Sequence, residues 1–356
     1  MNKIRKVDFI IVGQGLAGTL LSHFLLKKGV SFIVLDDDDG NTSSKIAAGL
    51  INPITGRRFV KSWMIDELLP YAKQTYSEIE DLLQVKLFYQ HNIVRALFNA
   101  GEENDWLARS AIPQYAPYIR EPADTKEFEA YVHPVFSYSE VKYSARVYLA
   151  LMIELYQKRL QQNGQWQKEV FDHHVLEIRG EGVKYKQWQA EKIVFCEGAK
   201  VKENPFFKYL PFTCDKGEIL LVKIPNVDFK KIYKHKVYLI PYGENTYWVG
   251  ASTQWEYPDV QPTDKGRKEL LEKLDKAINV PYTVLSHKAA VRPTVRDRRP
   301  FIGQHPVFEN LYLLNGFGTK GTSLAPYWIN HFVDYLMDGG ELSKEVDIRR
   351  YERYFE

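Results

Sequence analysis

The chain has 356 residues, 45% of them hydrophobic and 26% charged, with a formal net charge of +3 at pH 7. That length exceeds what one hydrophobic core usually serves, so two domains are expected, and the composition excludes a disordered chain. The charge is small and the basic residues are scattered, so no large polyanionic partner is required; the run Lys230 to Lys236 reads as a solvated face before it reads as a nucleic-acid surface.

The two cysteines, Cys196 and Cys214, stand far apart, and the nine histidines form no cluster. Neither a disulfide framework nor a metal site is expected. The basic start, Met1 to Lys6, followed by the apolar Phe9 to Val12, has the look of a secretory leader, but the apolar run is too short and Gly13 interrupts it. No stretch reaches about 18 uninterrupted apolar residues, so no membrane span is expected, and a cytoplasmic location is.

In chain order, Val7 to Val12 reads as a strand, Gly13-Gln14-Gly15-Leu16-Ala17-Gly18 as a glycine turn, and Leu16 to Lys28 as a helix closed at Gly29. Ser31 to Leu35 is a second strand, ending at Asp36. Strand, glycine turn, helix and second strand in this order form the dinucleotide-binding fingerprint. Gly13 permits the tight turn, Gly15 lets a diphosphate approach the backbone, and Gly18 lets the helix pack on the sheet. The free N–H groups of the helix N-terminus then face the phosphates. The Asp36 carboxylate can accept from ribose hydroxyls, with Asp37 as the alternative register; Asp38 and Asp39 read as solvated loop. An acid here repels a 2′-phosphate. The segment Ser43 to Gly56, with Ala47-Ala48-Gly49 and Asn52-Pro53, reads as a ligand loop that permits close backbone approach.

Asp66 to Leu83 reads as a helix and Leu87 to Ala96 as a strand, while 113 to 139 has weak periodicity. Ser144 to Gln161 reads as a helix, Val175 to Ile178 and Gly182 to Tyr185 as short strands, and Lys192 to Cys196 as a strand running into Glu197-Gly198-Ala199. Gly217 to Ile224 is a strand, Val237 to Pro241 and Tyr247 to Gly250 form a hairpin, and Thr263 to Ala277 is a helix with Thr263 as its cap. Asn310 to Asn315 is a strand, Gly316-Phe317-Gly318-Thr319-Lys320-Gly321 a second glycine turn, and Thr322 to Met337 a helix that tolerates Pro326. The expected fold is α/β: a Rossmann-like nucleotide-binding domain (1–62, 140–208 and 286–356) carrying an inserted, mostly antiparallel α+β domain (63–139 and 209–285) for the substrate.

The fingerprint alone does not separate NAD from FAD. The rest of the chain does. It resembles the D-amino-acid-oxidase-like superfamily of FAD-dependent oxidoreductases, which includes glycine and sarcosine oxidases, over nearly its whole length. The markers are the first glycine turn, Asp36, Cys196-Glu197-Gly198-Ala199, and the C-terminal signature Val291-Arg292-Pro293-Thr294-Val295-Arg296-Asp297-Arg298-Arg299-Pro300-Phe301-Ile302-Gly303. That signature continues into Gly316 to Gly321 and Ala325-Pro326. The loop Ser43 to Gly56 is closer in wording to the oxidoreductase half of a bacterial enzyme that modifies the wobble uridine of transfer RNA, with no fused methyltransferase module in view.

The resemblance implies FAD, held non-covalently, since Ala289 to Pro293 lacks the cysteine that anchors flavin in some sarcosine-oxidizing relatives. It implies that Gly13, Gly15, Leu16, Ala17, Gly18, Asp36, Asp37, Ser44, Lys45, Ala48, Gly49, Cys196, Gly198 and Ala199 contact the cofactor. Gly316, Phe317, Gly318, Thr319, Lys320, Gly321 and Thr322 do so near the flavin ring. Phe317 stands where relatives frequently have His. Arg292 is the expected anchor for a substrate carboxylate, Tyr238 (or Tyr242) the expected tyrosine facing it, and Lys320 the third catalytic candidate; Arg296, Arg298 and Arg299 are expected to be structural. Lys61 and Trp63 are further candidates to reach the active site.

The implied reaction oxidises a C–N bond of a small amino acid or secondary amine bearing a carboxylate, with hydride passing to flavin N5 and the imine then hydrolysing. Oxygen or another acceptor reoxidises the flavin. Two alternatives stand beside it: removal of a carboxymethyl group from a transfer-RNA wobble uridine, and a flavin-binding protein without catalysis. Oligomeric state is left open.

Overall fold

Five strands run parallel through the first sheet of the computed structural model, which describes residues 4–355. In spatial order they are Trp166–Lys168, Phe32–Asp36, Arg5–Val12, Trp188–Phe195 and Leu311–Asn315. Phe301–Gln304 joins antiparallel beside the last of these, and Glu177–Arg179 and Gly182–Tyr185 fold back on Trp188–Phe195. Residues 1–3 of the basic start lie outside the described residues.

Both faces of this sheet are covered, which is why its strands read as continuous apolar runs. Alternate residues serve different cores. Phe9, Ile11, Phe32 and Val34 pack with helices Leu16–Lys27 and Gly321–Asp338, whereas Ile10, Val12, Ile33 and Leu35 pack with Phe195, Phe207 and Leu313. Each such fully buried side chain contributes roughly 1.5–3 kcal/mol relative to exposure.

Helix Gly321–Asp338 accommodates Pro326 through its neighbour. Proline has no N–H for the Thr322 carbonyl, and the Tyr76 hydroxyl, on helix Ile65–Leu83, donates to that carbonyl instead at 2.9 Å.

The second sheet also has eight strands. Its order is Thr283–Arg292, Asp215–Lys223, Thr246–Gly250, Tyr238–Gly243, Ile232–Lys234, Ile93–Leu97, Ser137–Val141 and Ile119–Arg120, antiparallel except where Ile232–Lys234 meets Ile93–Leu97. Helix Asp264–Asp275 lies against it, capped by the Thr263 hydroxyl, which accepts from Gly266 N–H at 3.0 Å.

Three sequence expectations change. Leu87 to Ala96 is two strands: Phe88–Gln90 pairs with Ala145–Val147 in a small third sheet, and Ile93–Leu97 enters the second. The break falls at His91 and Asn92, whose side chains reach the Lys230 carbonyl (2.6 Å) and Glu140 (2.6 Å). Ser144 to Val147 is not helical; Ala145–Val147 is a strand, and the helix begins at Leu149. Finally, Thr283–Arg292 is a strand of the second sheet along its whole length, so that sheet continues past residue 285. Among the described residues no helix is long and apolar enough to cross a membrane.

Candidate active site

The parallel register brings several predicted site residues to one edge. Val12 lies opposite Leu35 and Phe195, and Phe195 opposite Leu313. Gly13, Asp36 and Cys196 therefore leave the sheet together, with Gly316 close behind, at the carboxyl ends where open α/β sheets bind ligands. Gly13 (φ +95°) is required twice: by its backbone, and because a Cβ would sit 2.6 Å from the Cys196 carbonyl oxygen. At Gly18 a Cβ would sit 1.9 Å from the Gly13 oxygen, so the helix rests on the turn that starts it.

The first glycine turn is held by its neighbours. Asp36 accepts from Gln14 N–H at 2.6 Å and from Asp38 N–H at 2.8 Å; burial pushes its pKa up, against these two bonds. Ser44 accepts from Leu16 N–H at 3.0 Å, next to Gly15 and Ala17. Asp37 pairs with Lys200; burial raises its pKa, but the Lys200 bond and charge outweigh that and hold it low. Lys45 turns to the Asp39 carbonyl at 3.0 Å. Cys196 is a buried free thiol whose pKa burial pushes well up. Gly198 and Ala199 open a short 3-10 helix, tied to the second turn by Asn315, whose amide donates to the Gly198 carbonyl at 2.9 Å.

Ala48 and Gly49 meet strand Ala145–Val147. A Cβ on Gly49 (φ +69°) would lie 1.8 Å from the Val147 oxygen. Arg146, 1% exposed, donates from Nε to the Ala48 carbonyl (3.2 Å) and from Nη1 to the Pro241 carbonyl (2.6 Å). Its guanidinium lies between the rings of Tyr148 (3.7 Å) and Tyr242 (3.9 Å). Tyr242 is thus occupied by Arg146.

The second glycine turn adjoins the first: a Cβ on Gly321 would lie 3.1 Å from the Leu16 side chain. Thr322, buried, follows it into the helix. Gly316, Phe317, Gly318, Thr319 and Lys320 line a cavity of about 630 Å³ together with Arg292 and Asp215. Arg292 donates from Nη1 to Asp215 and from Nη2 to the Ser252 carbonyl at 3.2 Å. Among the described residues Lys320 Nζ bonds only to hydroxyls, Ser62 Oγ at 3.3 Å and Thr55 Oγ1 at 3.4 Å. Burial, then the charges of Arg298 and Arg299, lower its pKa.

Tyr238 is not among the residues lining the cavity. It lies behind Lys320, through Ser62 Oγ donating to the Asn52 carbonyl (2.8 Å) and Asn52 Nδ2 donating to the Tyr238 hydroxyl (3.4 Å). Lys61 pairs with Asp66 at 2.5 Å, and Trp63 stacks between Trp328 and the Arg299 guanidinium. Arg296 and Arg298, expected to be structural, line the cavity.

Whether this edge fits a dinucleotide turns on the residues along it. Both turns use left-handed glycines, Gly13 and Gly316 (φ +79°). The Gln14 side chain is 3% exposed and neither atom of its amide has a partner among the described residues. A buried amide left so fits a polar ligand laid across the turn, and sequence reading had passed over it as a spacer between glycines.

Residues 8–328 match the family model described as FAD dependent oxidoreductase (DAO). The chain belongs to this family. The edge just described fits the FAD that this family's description names. Within the family the chain is 24% identical over 348 residues to the tRNA 5-methylaminomethyl-2-thiouridine biosynthesis bifunctional protein MnmC of Idiomarina loihiensis, covering 90% of this chain and 54% of that protein. The chain thus spans about half the length of this bifunctional relative. It is 23% identical to glycine oxidase of Bacillus subtilis, over 90% of each chain. Glycine oxidase from Bacillus cereus superposes with a TM-score of 0.78 at 19% identity, over 94% of this chain and 96% of that one, a likeness of fold.

Sequence reasoning missed Asp215, Arg146 and Gln14. Arg146 and Asp215 are defined by partners distant in sequence, and only strand pairing reveals them. For Gln14 the signal was available: a large amide in a turn otherwise made of small residues.

Proposed function

We propose that the protein oxidises a C–N bond of a small amine bearing a carboxylate. The observation that carries this is the single cavity shared by the second glycine turn and the Arg292–Asp215 pair. The two sheets are read as two domains, the parallel one for the cofactor and the antiparallel one for the substrate, with the division after Arg292. Gly13, Gly15, Leu16, Ala17, Gly18, Gln14, Asp36 and Ser44 are read as holding the adenosine and diphosphate, and Gly316 to Thr322 as lying along the flavin ring. Bound FAD supplies the hydride acceptor.

Asp215 and the Ser252 carbonyl each take one donor of the Arg292 guanidinium, and the remaining donors are left for a substrate carboxylate. Lys320, whose Nζ lies at the cavity beside the Ser62 and Thr55 hydroxyls, is placed to exchange a proton with the substrate amine, leaving the neutral amine that oxidation requires. The rest is positioning. Tyr238 acts from behind, through Asn52 and Ser62, by steadying Lys320.

A second reading, removal of a carboxymethyl group from a transfer-RNA wobble uridine, is favoured by the basic rim of Arg296 and Arg298 and by Trp255, 63% exposed at the cavity. The MnmC relative supports it too. One experiment tests both. The purified FAD-loaded protein is mixed anaerobically with glycine, sarcosine, D-amino acids, proline and carboxymethylaminomethyl-uridine transfer RNA, and flavin bleaching is followed. Bleaching by the free amines supports the first reading, and bleaching by the RNA alone the second. No bleaching by any of them removes both.

A further inference from the structure

The charges around the cavity do not balance. Arg292, Arg296 and Arg298 line it against one carboxylate, Asp215, which Arg292 already engages. Neither Arg296 nor Arg298 has an ion-pair partner among the described residues, and both side chains are exposed at the cavity.

The turn that carries them sorts its charges by alternation. It is closed by Arg298 N–H donating to the Val295 carbonyl at 3.0 Å. Asp297, between the two arginines, could have neutralised them. Its carboxylate instead accepts from Arg350 Nε at 3.0 Å and from the Tyr351 hydroxyl at 3.2 Å. Asp297 is absent from the cavity lining, while its two neighbours are part of it. Arg298 is also held at φ +58°, a left-handed conformation that side-chain-bearing residues adopt at a cost. The field of Arg298 reaches inward, since it and Arg299 contribute, after burial, to lowering the pKa of Lys320. Arg299 itself stacks on Trp63 and is not part of the lining.

Resting on the amine-oxidation reading, the geometry points to a substrate with a second anionic group: an amine diacid. One carboxylate lies at Arg292 beside the flavin and the other at Arg296 and Arg298 near the mouth. The cavity of about 630 Å³, shared between the flavin ring and the substrate, is of small-molecule size.

The test uses unreactive thioethers, in which sulfur replaces the amine, and reads their binding from the flavin absorbance of the FAD-loaded protein. The probes are (methylthio)acetate, with one carboxylate, and thiodiacetate, with two. Thiodiacetate is expected to bind at least tenfold tighter, with an advantage that shrinks as salt rises. In the Arg296→Gln, Arg298→Gln double variant, checked for full FAD content, the ratio is expected to fall towards one. Equal affinities in the unaltered protein overturn this inference and leave the amine reading standing. So does displacement of (methylthio)acetate by oligouridylate with no preference for thiodiacetate. No flavin perturbation by either thioether removes the amine reading, and this inference with it.

Discussion

Arg292 and Asp215 face each other across neighbouring antiparallel strands, and the guanidinium donates to the carboxylate where both border the cavity. The Asp215 side chain is 4% exposed and that of Arg292 18%. Removing one partner of such a pair strands the other, at about 3–5 kcal/mol. Arg292→Met is therefore expected to lower stability in urea by about 3 kcal/mol and to lower kcat/KM by about 100-fold or more, roughly 2.7 kcal/mol of transition-state stabilisation. The double variant Arg292→Met, Asp215→Asn is expected to regain much of the stability and none of the turnover. Recovery of turnover in that variant would remove Arg292 from substrate binding.

Arg146 joins the loop at Ala48 to the hairpin strand at Pro241 with no carboxylate partner among the described residues. Burial lowers its pKa, and the two flanking tyrosines offset part of that cost. Arg146→Met is expected to destabilise the protein by about 2–4 kcal/mol through the buried Ala48 carbonyl and the part-buried Pro241 carbonyl, both of which lose this donor. It is also expected to weaken FAD binding at least tenfold, read by flavin fluorescence on titration. Leu160→Ala, a cavity in the core beneath helix Leu149–Gln162, supplies the comparison: similar destabilisation with FAD affinity retained. Equal loss of FAD affinity in both variants would show that Arg146 acts through stability alone.

Lys234 is a partly buried cation over the Tyr238 ring, 4.3 Å from its centroid. Burial first, then Arg95 and Lys273, lower its pKa from 10.5 to about 8. The sign follows from linkage. Below pH 8 both folded and unfolded states carry the charge, and the folded state bears its full cost. Between pH 8 and 10.5 the unfolded state holds the extra proton, so stability rises with pH. Lys234→Met is expected to stabilise the protein at pH 7 by about 1–3 kcal/mol, with the advantage shrinking from pH 8 upward. Denaturant melts at pH 7 and pH 10 check it; an advantage that grows with pH would contradict the assignment.

The parts of the fold legible in the sequence were those written in local order. The run Val7 to Val12, its glycine turn and the following helix announce themselves, as does the second turn from Gly316 to Gly321, because each depends on neighbours within a few residues. The strand Thr283–Arg292 was hidden because its partner, Asp215–Lys223, lies far back in the chain, and pairing decides where such a segment belongs. The same distance concealed Asp215 behind Arg292 and Arg146 behind Ala48. Tyr238 is a different case: its strand was read in place, but strand position does not say what lies in front of a side chain. Asn52, Ser62 and Lys320 intervene between it and the cavity.

Gly18 offers the sharpest steric test of the cofactor edge. Replacing glycine by alanine inside a helix ordinarily stabilises it by up to about 1 kcal/mol. Here the new Cβ would meet the Gly13 carbonyl oxygen at 1.9 Å, and both groups are backbone, so the helix must lift away from the turn. Gly18→Ala is expected to yield protein without flavin colour that shows no rise in Tm when FAD is added, because ligand stabilisation requires the folded site. Gly40→Ala, where a Cβ would meet nothing within 4 Å, is expected to keep both the colour and the rise. A yellow Gly18→Ala protein with an unchanged response to FAD would mean that the diphosphate does not depend on the close approach of this helix to its turn.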